Sequence, residues 1–164
     1  TAPTVPSGLA AVPASGEVNL SWDASVSVNG YSVKRATVSG GFYRTVAMNL
    51  PGLNYADTGL ANGVTYYYVV SATNTFGESF NSGEVSAHPV STASLPVGFV
   101  MNGGQMQLNW PADHLGWRLE TQTNSMDAGL GTNWVTVPGS VNTTQVYMPV
   151  SPGIGSVVVR LVYP

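Results

Sequence analysis

The sequence consists of short runs in which apolar and polar residues alternate, and it has no helical period of useful length. Between residues 7 and 88, clusters of Gly, Asn, Pro and Ser separate seven of these runs. The runs are Leu9–Val12, Val18–Trp22, Tyr31–Ala36, Tyr43–Ala47, Asn54–Ala56, Thr65–Thr73 and Gly83–Ala87. Short strands at this spacing are typical of a β-sandwich, so the chain is predicted to be all-β.

Alternation also predicts which side chains fill the core. Successive side chains of a strand point to opposite faces of its sheet. Val18, Leu20 and Trp22 therefore form one inward row, and Tyr31 and Val33 form a second. The first half is expected to bury an aromatic core between two sheets.

Several segments of this half share a further pattern. They are Pro3 and Pro6, 20–22, 31–35, 55–57, 60–74, 77–79 and Ser82. On these residues, the segment 3–89 resembles a fibronectin type III domain. The resemblance implies an immunoglobulin-like sandwich in which Tyr66 pins the loop entering its strand, while Tyr68 points into the core. The chain has no Arg-Gly-Asp tripeptide, so integrin-type adhesion is not indicated and this domain is interpreted as a spacer.

The second half contains five runs that repeat the first half in order. The runs are Met106–Trp110, Trp117–Thr123, Trp134–Val137, Thr144–Val150 and Ser156–Tyr163. The equivalent pairs are Leu20 and Leu108, Trp22 and Trp110, Tyr31 and Trp117, Tyr43 and Trp134, Tyr66 and Val157, Tyr68 and Val159, and Val70 and Leu161. A smaller, related sandwich that stops after its sixth-strand equivalent is predicted, and its last edge would need protection.

The predicted organisation is two tandem β-sandwich domains. Residues 1–89 form the fibronectin type III domain, 90–96 a short linker between prolines, and 97–164 the small C-terminal module. The opening segment 1–6 is interpreted as a linker from an upstream domain.

Three motifs characterise the second module. They are Trp110–Leu119 (WPADHLGWRL), Gly129–Trp134 (GLGTNW) and Arg160–Pro164 (RLVYP). On these motifs the module resembles C-terminal modules of large exported bacterial proteins and is similar to carbohydrate-binding modules. The resemblance implies an extracellular location behind an enzyme or repeat array, with Pro164 as the natural chain end.

Composition excludes several classes of partner. Only five residues are Lys or Arg and the net charge is −3, so neither a nucleic acid nor an anionic membrane surface is an expected partner. The chain has no cysteine, which excludes disulfides and thiolate metal sites. It also has no apolar run long enough to span a membrane.

No catalytic residue, cofactor or metal site is predicted. The chain lacks a Gly-x-Ser-x-Gly elbow, a phosphate loop and a His-Glu-x-x-His motif. Asp113 and Glu120 as a glycosidase pair would lie in a module too small to enclose a sugar. Asp57, Asp113 and Asp127 are isolated, which leaves open only a calcium site built partly from backbone carbonyls.

A binding face is the stronger hypothesis. Alternation places Arg118, Glu120 and Gln122 outward on one strand and Arg160 outward on its predicted neighbour. Planar polar groups of this kind hydrogen-bond pairs of sugar hydroxyls, while an aromatic ring stacks on the sugar. The candidate carbohydrate-binding residues are Trp134, Arg118, Glu120, Gln122, Arg160 and Trp117.

Each of these residues also has a structural interpretation. Trp110 and Trp117 match core positions of the first half, and Trp134 packs against a neighbouring strand or stands exposed as a platform. The charged residues form a cross-strand ion pair on a solvated face, and residues 113–116 form a turn.

Two functions follow from these interpretations. One is non-catalytic binding of a plant or microbial cell-wall polysaccharide, with the first domain as spacer and a catalytic domain upstream in the same chain. The other is a structural or surface-attachment region without a glycan ligand.

Overall fold

Fourteen short strands and two 3-10 turns, Ala112–His114 and Ser140–Asn142, make up the regular structure of the computed structural model, which describes residues 1–124, 129–150 and 156–163. The chain divides into two compact units, Thr1–Ser91 and Thr92–Pro164. The strands pair antiparallel throughout the described residues. The prediction of an all-β chain is confirmed.

The first unit is a sandwich of two sheets. Its strands are β1 (Ala10–Ala14), β2 (Glu17–Ser21), β3 (Gly30–Ala36), β4 (Arg44–Leu50), β5 (Asn54–Thr58), β6 (Tyr66–Asn74), β7 (Gly77–Glu78) and β8 (Val85–Ala87). One sheet has the order β1-β2-β5. The other has the order β4-β3-β6, and β6 also pairs with β7 and β8. The predicted runs coincide with these strands within a few residues at each end, and β7 was not predicted.

The core of this unit is formed by the predicted inward rows. Val18, Leu20 and Trp22 are buried against Tyr31 and Val33 of the opposite sheet. The rings of Trp22 and Tyr31 meet edge to face at 5.5 Å between centroids. The inward rows predicted from alternation are therefore confirmed.

A tyrosine corner and a partly buried ion pair complete the first unit. The Tyr66 hydroxyl accepts a hydrogen bond from the Ala61 amide at 3.1 Å, as the resemblance implied. The buried Asp57 carboxylate accepts from the Tyr68 hydroxyl at 2.9 Å and from Arg35 Nη1 at 2.8 Å. Burial, with the hydrogen bond to Asp57, raises the pKa of Tyr68.

The second unit repeats this layout with fewer strands. Its strands are β9 (Gly98–Asn102), β10 (Gln105–Asn109), β11 (Arg118–Asn124), β12 (Val135–Thr136), β13 (Gln145–Pro149) and β14 (Ser156–Val162). The sheets have the orders β9-β10-β13 and β12-β11-β14. These match β1-β2-β5 and β4-β3-β6 strand for strand, so the prediction of a smaller related sandwich is confirmed.

The first strand of this unit, β9, was missed in the sequence. It pairs with β10 through a two-residue turn, Gly103-Gly104, in which both residues have positive φ of 54° and 82°. Such a turn matches the twist of the flanking strands and favours glycine at both positions. The Gly-Gly pair flanked by apolar residues was the available signal for the strand.

The smaller number of strands leaves part of the inner surface open. In the first unit β8 borders β6 and contacts β1. Within the described ranges, no strand borders β14 on the equivalent side. Phe99 and Met101 of β9 lie on the inner face, on the side of Leu108, and are 65% and 52% exposed. The core is accordingly confined to Leu108, Trp110 and Leu119 with partly buried neighbours.

Candidate functional site

The outer face of the sheet β12-β11-β14 carries the predicted polar side chains. Glu120 of β11 pairs with Arg160 of β14 on one side and with Thr136 of β12 on the other. Arg118 lies two residues before Glu120 on β11 and therefore on the same face. The structure thus brings Arg118, Glu120 and Arg160 together, as alternation predicted.

Both arginines bind the same carboxylate. Arg160 donates from Nε and Nη2 to Glu120 Oε2, at 2.9 and 2.7 Å. Arg118 donates from Nε to Glu120 Oε1 at 2.9 Å. The hydrogen bonds from both arginines hold the pKa of Glu120 below its ordinary value, and those from Arg160 have the larger effect. Glu120 therefore remains ionised at neutral pH and fixes both guanidinium groups.

The cluster is closed on the sheet side and open to solvent above. The Glu120 side chain is 9% exposed, whereas those of Arg118 and Arg160 are 41% and 48% exposed. The carboxylate is enclosed because it lies between the two guanidinium groups. The outer edges of those groups face solvent.

Trp134 extends this series with an aromatic ring. It precedes β12, whose Val135 pairs with Thr121 of β11. The Arg160 guanidinium carbon lies 4.1 Å from the centroid of the Trp134 ring, a cation–π contact. Trp134 is partly exposed. We call the surface formed by Arg118, Glu120, Arg160 and Trp134 the arginine–tryptophan face.

Gln122 is buried, which corrects the prediction that it faces a ligand. Its Nε2 donates to Asn133 Oδ1 at 2.5 Å, and its Oε1 accepts from the Gly131 amide and from Asn124 Nδ2, each at 3.0 Å. A Cβ atom at Gly131 would lie 2.9 Å from Asn133 Oδ1. Gln122 points to the predicted side of the sheet, but the loop that leads to Trp134 covers it. Its role is to position that loop.

Trp117 is also not part of the arginine–tryptophan face. This agrees with its alternative interpretation as a core residue. It is buried, with its ring centroid 4.7 Å from that of His114 and 5.6 Å from that of Tyr163. Because it precedes Arg118 by one residue, it points to the opposite side of the sheet. The prediction of Trp117 as a carbohydrate-contacting residue is therefore corrected, and Trp110 is likewise buried.

His114 has a structural role that sequence reasoning missed. It ends a single 3-10 turn, Ala112–His114, where a turn was predicted. Its Nδ1 lies 2.7 Å from Asp113 Oδ1 and its Nε2 lies 2.7 Å from the carbonyl oxygen of Ala93. The buried ring therefore links the segment before β9 to the segment before β11. The Asp113 carboxylate contacts this ring.

The described residues offer little support for other chemistries. Among them, no three His, Cys, Asp or Glu side chains are placed to hold a metal ion. Asp127, considered for calcium, lies outside the described residues, as does Pro164. Glu120 is bound by two arginines, so it is not poised to act as a catalytic acid. No helix in the described part of the chain has the length and apolar character needed to cross a membrane.

The strand orders define the class of both units. The first unit has the fibronectin type III fold, and the second is a smaller sandwich with the same strand order up to its sixth strand. No family model matches the chain.

Known proteins that resemble the chain include large bacterial carbohydrate-active enzymes. The amylopullulanase of Thermoanaerobacterium saccharolyticum is 39% identical over 102 residues, which is 62% of this chain and 8% of that enzyme. Exoglucanase B of Cellulomonas fimi is 39% identical over 98 residues, 59% of this chain and 8% of that enzyme. A β-1,2-glucanase structure from Parabacteroides distasonis shares 26% identity, with a TM-score of 0.51, over 57% of this chain and 14% of that chain. The chain thus spans less than a tenth of the two curated relatives.

Proposed function

We propose that this chain is a non-catalytic accessory region of a secreted bacterial multidomain enzyme. The second unit binds polysaccharide on the arginine–tryptophan face, and the first unit is a spacer. The observation that carries this proposal is the continuous series of Arg118, Glu120, Arg160 and Trp134 on an open sheet surface. The short match to much longer enzymes supports the accessory role and a catalytic domain elsewhere in the same polypeptide.

Binding would combine stacking with hydrogen bonds. The Trp134 ring is held against Arg160 and is partly exposed, and a sugar ring would stack on its exposed part. Each guanidinium group presents several N–H donors in a fixed plane, which suits pairs of neighbouring hydroxyls. Glu120 and Gln122 fix the contacting groups in place, so little side-chain entropy is lost on binding.

Glucans are the polysaccharides to test first. The names of the relatives, amylopullulanase and exoglucanase, and that of the structural neighbour, a β-1,2-glucanase, all refer to enzymes of glucan breakdown. An accessory region that binds the polymer would keep an attached catalytic domain near it. Because such polymers are too large to enter a cell, this role places the chain outside the cell.

A structural or surface-attachment role is the second candidate. The observation that favours it is that both arginines form an ion pair with Glu120, so each guanidinium group has a partner within the protein without a ligand. Cross-strand ion clusters of this kind also occur on sheets that bind nothing.

Affinity electrophoresis separates the two functions. The full chain would be run in gels that contain pullulan, amylopectin or hydroxyethyl cellulose, with pull-down on insoluble cellulose in parallel. Trp134→Ala and Arg118→Ala are expected to weaken binding by about tenfold or more, the loss of roughly 1.4 kcal/mol of contact energy. Tyr147→Ala is the matched control, since Tyr147 is an exposed aromatic residue on the other sheet.

The outcomes are distinct. If both variants still bind a polysaccharide as the wild type does, the arginine–tryptophan face is not the binding site. Absence of retention on every glycan would favour the structural role. Thermal melts of each variant show whether the fold is retained.

A further inference from the structure

We infer that the glycan recognised by the arginine–tryptophan face carries an oxyanion substituent, a carboxylate or a sulfate ester, which Arg118 and Arg160 bind. This inference rests on the proposed function and specifies the substrate class of the same site. It follows from the charge of the face and from the arginine N–H donors that have no partner among the described residues.

The charge of the face differs in sign from that of the whole chain. Arg118 and Arg160 are the only Lys or Arg residues after residue 91, and both lie on this face. Glu120 is the carboxylate between them, so two positive charges and one negative charge leave a local charge of +1. The whole chain has a formal charge of −3. All Lys and Arg side chains of the second unit therefore lie on the arginine–tryptophan face.

Each arginine has N–H donors that no described residue accepts. Arg118 uses Nε for Glu120, and Arg160 uses Nε and Nη2. Within the described parts of the chain, Arg118 Nη1, Arg118 Nη2 and Arg160 Nη1 have no hydrogen-bond partner. Guanidinium groups bind carboxylates and other oxyanions through two parallel N–H bonds, and such charge-assisted bonds are stronger than those to neutral hydroxyls.

Desolvation decides between neutral and anionic ligands. A sugar that covers the face removes water from a cluster with an uncompensated positive charge. A neutral hydroxyl compensates this loss poorly, whereas an oxyanion neutralises the remaining charge as it binds. Trp134 would stack on the sugar ring while the substituent reaches the arginines beyond it. The negative charge of the rest of the chain repels a polyanion at long range, so the gain comes from short-range contact.

Matched neutral and charged polymers test the inference on the full chain. Pullulan would be compared with carboxymethyl pullulan, hydroxyethyl cellulose with carboxymethyl cellulose, and dextran with dextran sulfate. At about 50 mM salt the charged member of a pair is expected to bind at least about tenfold tighter, with the advantage shrinking as salt is raised. Binding of carboxymethyl polymers identifies a carboxylate as the ligand group, and binding of dextran sulfate alone identifies a sulfate.

Substitutions locate the effect. Arg118→Gln is expected to weaken binding of the charged polymer much more than that of the neutral one and so to abolish most of the preference, whereas Trp134→Ala should weaken the binding of both. Arg44→Gln is the matched control because it removes the same charge from an exposed position in the first unit. It should leave the preference unchanged.

Three results would overturn the inference. If charged and neutral polymers bind equally and Trp134→Ala weakens both, the proposed function holds and the oxyanion does not contribute. If Arg44→Gln lowers the preference as much as Arg118→Gln, the effect is one of overall charge. If no polymer binds, the proposed function fails with it.

Discussion

The guanidinium group of Arg160 lies over the indole of Trp134, with 4.1 Å from its central carbon to the ring centroid. The same guanidinium donates two hydrogen bonds to Glu120. A residue of the last strand therefore joins the loop before β12 to the carboxylate of β11. This relationship makes one surface out of groups that are far apart in the sequence.

Trp134 should account for most of the quencher-accessible tryptophan fluorescence. The other three tryptophans, Trp22, Trp110 and Trp117, are buried, and Trp134 is partly exposed. Trp134→Phe is expected to remove most of the fluorescence that acrylamide quenches, and Arg160→Ala to increase quenching because it uncovers the ring. An unchanged quenchable fraction in Trp134→Phe would show that another tryptophan is accessible.

Glu120→Gln should make the free energy of unfolding depend less on pH below neutrality. The arginines lower the pKa of Glu120 in the folded state, so its stabilising contribution is present above the unfolded value, about 4.3. The contribution is lost as pH falls through the folded pKa. Denaturant unfolding of the wild type and of Glu120→Gln between about pH 3 and 7 measures the difference, which should be largest near neutral pH and shrink in acid. A difference that does not change with pH would contradict this linkage.

Leu108 and Phe99 are neighbours across β9 and β10, but they should differ in their contribution to stability. Leu108 is buried in the core of the second unit, and Phe99 is mostly exposed. Leu108→Ala is expected to cost about 2–5 kcal/mol, the range for a buried leucine. Phe99→Ala should cost less than about 1 kcal/mol, as surface substitutions do. Equal losses in chemical denaturation would mean that Phe99 is covered in solution.

Ser140→Ala should destabilise the strand that carries the site. The Ser140 hydroxyl accepts from the Leu119 amide at 3.1 Å, and both residues are buried. Removing the acceptor leaves a buried N–H without a partner, which costs about 1–3 kcal/mol. Equilibrium unfolding measures the loss, and Ser156→Ala, an exposed serine of β14, is the control that should stay near the wild-type value.

Tyr68→Phe tests the hydrogen bond that supports the ion pair of Asp57 and Arg35 in the first unit. The substitution keeps the ring in the core and removes the hydrogen bond to Asp57, which is left with Arg35. A hydrogen bond to a charged group contributes about 1.5–3 kcal/mol, and a loss in this range is expected. Tyr67→Phe, on the neighbouring outward position, should be nearly neutral. Similar losses for both variants would show that the Asp57 bond is not responsible.

Much of this architecture was predictable because a strand has a period of two. The inward rows of the first unit follow directly from that period. The common face of Arg118, Glu120 and Arg160 follows from it only when β14 is placed beside β11, as the resemblance to the first unit predicted. The strand order of the second unit followed from its resemblance to the first. The strand β9 was missed although Gly103-Gly104 marks its turn, because its apolar residues do not alternate with polar ones.

The sequence alone determined the side of the sheet on which each residue lies, since that depends only on the local backbone. Whether solvent reaches that side depends on segments distant in the chain, and only the tertiary structure decided it. Gln122 lies on the predicted side but is covered by the loop 129–133, to which it hydrogen-bonds. Trp134 could have packed inward or stood exposed, and Arg160 fixes it over the arginine cluster. Local periodicity cannot specify these contacts, because they form only when the sheets assemble.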